Sequence, residues 1–281
     1  MFNVKTNFVT LAAACVATLS FVSCKSDSTI AAEKLVENAR LFIADGNPAK
    51  AIQSLDSLST LYPGEIEAGR RALAIRPQAI EQLTIAEIQT TDSLIAIYSI
   101  ENQEYVNSIK KIDDKELLEP YYVSKSGYDP SFMNKTAIQP RVDNIGQFYI
   151  LSSVNGNKLH HNSITIKSNA GEVSTETVPF DNDSNFDIDA AELVTYSPQS
   201  CDTIGYFITQ NPEATYTVIF NGENGKSISQ KLSTEQVKGI IDSWKYSRSI
   251  VQARDLSARK QMLEQRLQIA RDQIARTASE K

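Results

Sequence analysis

Between Asp181 and Glu192 every second position up to Asp189 carries a side-chain oxygen: Asp181, Asp183, Asn185, Asp187 and Asp189, with Glu192 closing the run. Alternating carboxylate and amide oxygens let a short loop wrap a hard cation, and a final glutamate can supply two oxygens to complete the shell. Phe186 stands where such a wrap bends most sharply, and Thr175 to Phe180 before it read as strand. The competing reading is a solvated Asp- and Asn-rich loop between strands. The other reactive side chains are few. His160 and His161 are the only histidines, and on a strand adjacent residues face opposite sides. A nucleophile, a base and an orienting acid must lie within hydrogen-bond reach of one another to act together. No Gly-x-Ser-x-Gly elbow, His-Glu-x-x-His helix, phosphate-binding glycine loop or paired-cysteine knuckle announces such a site. Cys201 reads as a small buried side chain. These residues point away from an enzyme; a hydrolase is expected only if its site assembles from residues that no motif reveals.

The remaining reactive group is Cys24. Lys5 precedes an apolar run from Phe8 to Leu19, and Ser23 stands just before the cysteine. A positive start, a short apolar segment and a small residue at the cut describe a secretory signal peptide. The run is shorter than the roughly 20 apolar residues of a membrane-spanning helix. Leu19-Ser20-Phe21-Val22-Ser23-Cys24 resembles the lipobox of bacterial lipoproteins, with Phe21 and Val22 replacing commoner residues. That resemblance implies cleavage after Ser23 and a lipid on Cys24, the membrane then being held through this N-terminal lipid alone. Lys25 and Asp27 after the cysteine resemble the starts of surface-exported lipoproteins of the Bacteroidota, which implies an outer-membrane or cell-surface location. The Asp181–Glu192 spacing resembles an EF-hand calcium loop, with Ile188 at the usual apolar position. The resemblance implies at most a weak extracellular calcium site; beyond the covalent lipid and this possible calcium, no cofactor is expected.

Composition narrows the partners. Lys5 is the only charged residue in 1–23, so the remainder carries 27 basic against 34 acidic residues, a net of −7. A nucleic-acid partner calls for a basic patch or stripe, so none is expected. Electrostatic docking on anionic lipid is disfavoured by the same balance. With Cys15 in the signal and Cys24 acylated, Cys201 has no partner for an intramolecular disulfide, and stability must come from apolar burial.

The elements that would position these groups follow from periodicity. Leu35, Ala39, Phe42 and Ile43 share one helical face, and Ala51, Ile52, Leu55, Leu58 and Leu61 share another. Asp45-Gly46-Asn47-Pro48 stops the first helix and starts the second, Pro48 being suited to the first helical position. Residues 31–64 resemble one tetratricopeptide unit through Ala39, Phe42, Gly46, Ala51, Leu55, Leu58 and Pro63. Solenoids usually need about three repeats, so an ordinary helical hairpin is the equal alternative. A helix is expected from Glu65 to about Lys111, kinked at Pro77. Its seam is Ile88, Thr91, Ile95, Tyr98, Asn102, Tyr105, Ile109 and Ile112.

A second long helix starts at the capping box Ser233-Thr-Glu-Gln236 and runs to the C-terminus. Its apolar positions are Val237, Ile241, Trp244 and Val251, then Leu256, Leu263, Leu267, Ala270 and Ile274. Residues 78–119 carry nine acids and three lysines, net −6, whereas 233–281 carry ten basic and six acidic residues, net +4. Opposite flanking charge favours pairing the two in an antiparallel coiled coil. Between them the period becomes two. Strands are expected at Gly146–Val154, Asn162–Lys167, Glu172–Pro179, Leu193–Tyr196, Thr203–Thr209, Thr215–Phe220 and Lys226–Leu232, after an irregular lead-in from Pro120 to Asp143. Aromatic residues concentrated here are expected mostly in its core.

The fold expected is thus α+β. A signal (1–23) precedes a tether with a helical hairpin (24–64). A first long helix (65–119), an inserted β-sandwich-like head (120–232) and a second long helix (233–281) follow. The function expected is non-catalytic: a lipid-anchored scaffold or interaction module presenting the β head to an envelope protein. The alternative is a surface protein binding a glycan or calcium through that head.

Overall fold

The computed structural model describes residues 26–115, 119–156 and 158–279. The signal segment and Cys24 lie outside the described residues. The chain divides into two compact units, one within Met1–Leu83 and Ile269–Lys281, the other Thr84–Gln268.

The first unit is helical. Helix α1 (Asp27–Ala44) opens with Ser26, whose hydroxyl accepts the Thr29 N–H, and α2 (Pro48–Leu61) opens on its proline. Gly46 between them has φ +70°, the left-handed conformation that reverses the chain and that glycine adopts without steric cost. Ala32, Val36 and Ala39 of α1 meet Ala51, Leu55 and Leu58 of α2, and the start of α3 (Ile66–Glu101) adds Ala68, Ala72, Ile75 and Ala79. So many alanines bring helix axes close, because interaxial distance is set by side chains at the contact. Leu61, expected on the apolar face, is exposed. Pro77 lies within α3, which runs through it. In this unit Arg271 on α6 (Thr234–Ser279) pairs with Glu81 on α3 at 2.9 Å.

The second unit contains the rest of α3 and most of α6. Lys260 pairs with Asp92 at 2.7 Å and Arg266 with Glu87 at 3.1 Å. The acidic partner moves back along the chain as the basic one moves forward, so the helices are antiparallel. Thr91 and Leu263 are buried between them. The expected seam ends early. Helix α3 stops at Glu101, Asn102 joins it to a short α4 (Gln103–Ser108), and Ile109–Ile112 form strand β1, paired with β2 (Tyr121–Ser124). Isoleucine suits a pleated ladder, and the available partner strand overrides a seven-residue repeat that has weakened by this point.

Two antiparallel sheets follow. The six-stranded sheet has the order β1-β2-β3-β4-β8-β7, and the four-stranded sheet β10-β9-β5-β6. Their strands are β3 (Ala137–Val142), β4 (Phe148–Asn155), β5 (His161–Ser168), β6 (Gly171–Ser174), β7 (Asn185–Ile188), β8 (Ala191–Thr195), β9 (Thr217–Gly222) and β10 (Ser227–Lys231). Several expectations need correction. The strand expected at Glu172–Pro179 ends at Ser174, so Thr175 to Phe180 are not strand. Pro120 to Asp143 contains β2 and β3, not an irregular lead-in. Asn185–Ile188 is a strand. Thr203–Thr209 lies in helix α5 (Pro198–Gln210), capped by Ser197 and burying Cys201, Ile204, Gly205 and Ile208. That i, i+3, i+4, i+7 spacing is a helix face, which β-branched neighbours obscure.

Ile150 and Val154 of β4, Ile164 and Ile166 of β5, and Val218 and Phe220 of β9 share one core with α5 and with Val237 and Ile240 of α6. Helix α6 begins with the expected reciprocal cap: the Ser233 N–H donates to Gln236 Oε1 at 2.9 Å and the Gln236 N–H to Ser233 Oγ at 3.2 Å. It docks on α5 through Trp244, whose Nε1–H donates to Asp202 at 2.8 Å. Gly205 makes the approach possible, since a Cβ there would stand 2.1 Å from Trp244 Cδ1.

Candidate functional site

The densest arrangement of reactive groups lies between the two sheets. In the ladder joining β4 to β8, Ser152 opposes Val194 and Val154 opposes Glu192. Opposed residues point the same way and the side-chain period is two, so Ser152, Glu192 and Val194 share a face, with Tyr196 just past the end of β8. His161 begins β5 in the other sheet and enters between them. The adjacent histidines separate as expected, His161 buried and His160 exposed, but His160 precedes the strand with φ +49°.

Four polar side chains form one chain of hydrogen bonds. Glu192 Oε2 lies 3.1 Å from His161 Nδ1, His161 Nε2 lies 2.7 Å from Ser152 Oγ, and Ser152 Oγ lies 2.8 Å from the Tyr196 hydroxyl. Glu192 also accepts the backbone N–H of His160 at 2.8 Å and of His161 at 3.0 Å. The left-handed backbone at His160 turns two consecutive N–H groups onto one carboxylate, an anion-holding nest. A carboxylate against Nδ1 places the proton there, so neutral His161 accepts at Nε2 from Ser152, and Ser152 accepts from Tyr196.

The electrostatics agree with that direction. Burial pushes the His161 imidazolium down in pKa, outweighing the opposing pull of Glu192 and the smaller one of Asp187. Burial would raise Glu192, but the N–H groups of His161 and His160 together with the His161 ring bring it below the ordinary carboxylate value. Burial raises the Tyr196 phenol far above its usual range.

Ser152, His161 and Glu192 therefore have the nucleophile–base–acid order of a hydrolytic triad. What they lack is access. Ser152 is 0% and His161 1% exposed, and Ser152 Oγ is bonded on both sides. A cavity of about 200 Å³, lined by His160, Asn185, Asp187, Glu192 and Glu223 among others, reaches the acid but neither the serine nor His161. In this conformation the arrangement can hold sheets together and order protons; it cannot offer Oγ to a substrate carbonyl.

The six oxygen-bearing residues of Asp181–Glu192 do not converge on one point. Asp181 Oδ1 accepts the N–H groups of Asp183, Ser184 and Asn185 at 2.9, 2.8 and 2.9 Å, and these bonds hold its carboxyl below the usual range. Asn185 is buried, its amide donating to the Val178 and His161 carbonyls at 2.7 and 3.2 Å. Asp183, Asp187 and Asp189 are exposed, and Glu192 is committed to the two histidines. Phe186 lacks the freedom of a glycine, so the sharp bend falls at Asp189-Ala190, where a two-residue loop with φ +53° at Asp189 closes the β7–β8 hairpin. Among the described residues no group of three or more His, Cys, Asp or Glu is placed to hold a metal ion. Comparison of the chain with family models, curated proteins and solved structures found no match.

Cys201 is free and buried, its thiol pushed up by burial. A second cavity, about 480 Å³, is lined by Tyr121, Tyr149 and Tyr196 with Glu119, Asp143, Glu176 and Asp181. The Arg141 guanidinium lies 4.0 Å from the Tyr121 ring centre. Ser152 and Tyr196 had no signal in the sequence as site residues, because their partners lie on other strands. The adjacent histidines were the one visible pointer.

Proposed function

We propose that this chain is a non-catalytic, lipid-anchored envelope protein acting as a scaffold or interaction module through its β-rich unit. The observation that carries the reading is the closed Ser152–His161–Glu192–Tyr196 network. This arrangement, which has catalytic order, is spent inside the fold, which favours a structural use of these groups. The anchor rests on the resemblance of residues 19–24 to a lipobox, with Cys24 carrying the lipid at the outer membrane or cell surface. No described helix is long and apolar enough to cross a membrane, which is compatible with a lipid as the attachment. The partner is an envelope protein.

Two measurements test this together. The native protein should begin at residue 24 and take up labelled palmitate, and Cys24→Ala should abolish both. Photocrosslinkers at exposed positions of the β-rich unit, such as Tyr206 and Lys167, should capture an envelope protein in intact cells. Labelling of Ser152 by a fluorophosphonate probe in the folded chain would overturn the non-catalytic assignment.

A second reading has its own observation. The half-buried Tyr121 and Tyr149 line the 480 Å³ cavity beside four carboxylates, a combination that can stack on a sugar ring and accept hydrogen bonds from its hydroxyls. In this reading the unit binds a glycan, and Tyr149→Ala should remove glycan binding while leaving the fold intact.

A further inference from the structure

We propose that the Glu192–His161–Ser152–Tyr196 chain is an acid-sensitive latch between the two sheets, released when His161 takes a second proton. The argument begins with placement. Ser152 on β4 and Glu192 on β8 belong to the six-stranded sheet, whereas His161 on β5 belongs to the four-stranded sheet. Asn185 of β7 adds a bond to the His161 carbonyl. Through one imidazole and its peptide, three strands of one sheet are fastened to the other.

The bonds have a fixed polarity. At neutral pH Tyr196 O–H donates to Ser152, Ser152 O–H donates to His161 Nε2, and His161 Nδ1–H donates to Glu192. A proton added at Nε2 makes both ring nitrogens donors. Ser152 Oγ must then accept from the imidazolium, and its own hydrogen loses Nε2 as an acceptor. The Ser152 and Tyr196 hydroxyls share a single contact for two hydrogens, so one of them is left without an acceptor. Protonation thus reverses one bond and orphans one donor in a closed site.

Every group around the ring can be named. Glu192 faces it from β8 and Asp187 from β7, both favouring the proton; Ser152 and Tyr196 are neutral, and the Phe220 ring of β9 stands edge-on at 6.0 Å. Asp187 is exposed and water weakens its pull. Glu192 already carries the two backbone N–H groups. Burial prevails, and the folded state holds His161 neutral more firmly than the unfolded chain does.

The sign of the pH effect follows. With the folded pKa below the unfolded value near 6.5, the unfolded chain binds the extra proton first, so stability is complete above that value and falls as pH drops below it. Between pH 6.5 and 5.5 the unfolding constant should rise, by at most about fivefold from this one group. His160 is the only other histidine, so His160→Gln is the control that isolates the contribution of His161.

The test is urea unfolding of the full chain from pH 7.5 to 5.5, with imidazole ¹⁵N shifts of the unmodified protein. The expected results are that rise, its disappearance in His161→Gln, and a neutral ring protonated at Nδ1 that takes its second proton at lower pH than in the unfolded chain. Faster exchange of the His160 and His161 amides in acid should accompany them. A flat profile, the same profile in His161→Gln, or an imidazolium signal at pH 7 would overturn the latch. The ¹⁵N signals decide the matter even if the His161 variant fails to fold.

Discussion

The helical unit and the β-rich unit solve the same problem with opposite materials. In the first, the core of Ala32, Ala39, Ala51, Leu55, Ala72 and Ala79 is apolar, and the ion pair Arg71–Glu33 lies partly open at its surface. In the second, Glu192, His161, Ser152 and Asn185 are buried alongside Ile150, Ile164 and Phe220. An apolar core tolerates loss of a contact in proportion to the volume removed. A buried polar network does not, because each deleted partner leaves a desolvated donor or acceptor behind.

The largest effect should therefore come from removing the acid of the network. Glu192→Ala leaves the N–H groups of His160 and His161 and the His161 Nδ1–H without their acceptor. The loss should be about 4 kcal/mol, the order expected when three N–H donors lose the one carboxylate that accepts from them. Urea unfolding followed by a signal from the β-rich unit would measure it. A loss under about 1 kcal/mol would mean that the network contributes no more than surface polar groups do.

Leu55→Ala is the matching cut in the helical unit. Leu55 is fully buried, so the cost should be about 3 kcal/mol, combining lost transfer energy with a residual cavity. Its signature differs from that of Glu192→Ala. The pH dependence between 7.5 and 5.5 should be that of the unmodified chain, since no histidine lies in this unit. Gly205→Ala should cost about 2 kcal/mol, because the new methyl would displace Trp244 and strain the α5–α6 contact. Near-ultraviolet circular dichroism should report the tryptophan's movement, and an unchanged spectrum would argue against that close approach.

The same contrast explains what could be read from the sequence. Helices α1, α2 and the start of α6 were legible because their signals are local: the Leu35, Ala39, Phe42 and Ile43 stripe, Gly46-Asn47-Pro48 and Ser233-x-x-Gln236 each lie within a few turns of chain, whereas the Ser26 cap of α1 lay in what read as a tether. Strands β4, β5, β9 and β10 were legible from alternation between turn residues. Helix α5 was misread because Thr203-Ile-Gly-Tyr-Phe-Ile-Thr is rich in strand-favouring side chains, while the deciding fact, Trp244 packed on Gly205, lies about 40 residues away. The end of the α3 seam failed for a similar reason: Ile109 and Ile112 could continue a heptad or join a ladder, and β2 decides. As for the site, Glu192 was noticed as a candidate cation ligand and not as a partner of His161. Its carboxylate sits 31 residues from His161 in sequence, and only the sheet register brings them within 3.1 Å.

The smallest effect belongs to the exposed charges that pair α3 with α6. Arg266 and Glu87 meet at 3.1 Å with both side chains still about a third exposed, so water competes for each. Arg266→Gln should cost about 0.5 kcal/mol, and the cost should shrink further in molar salt, where the screening length falls to roughly 3 Å. Glu192→Ala should keep most of its penalty in the same salt, since the carboxylate and the His161 ring are both buried. A double-mutant cycle at low and high salt separates the two cases. If Arg266–Glu87 proved as costly to break as Glu192–His161, opposite helix charge would be a structural determinant here, not merely a bias on which helices pair.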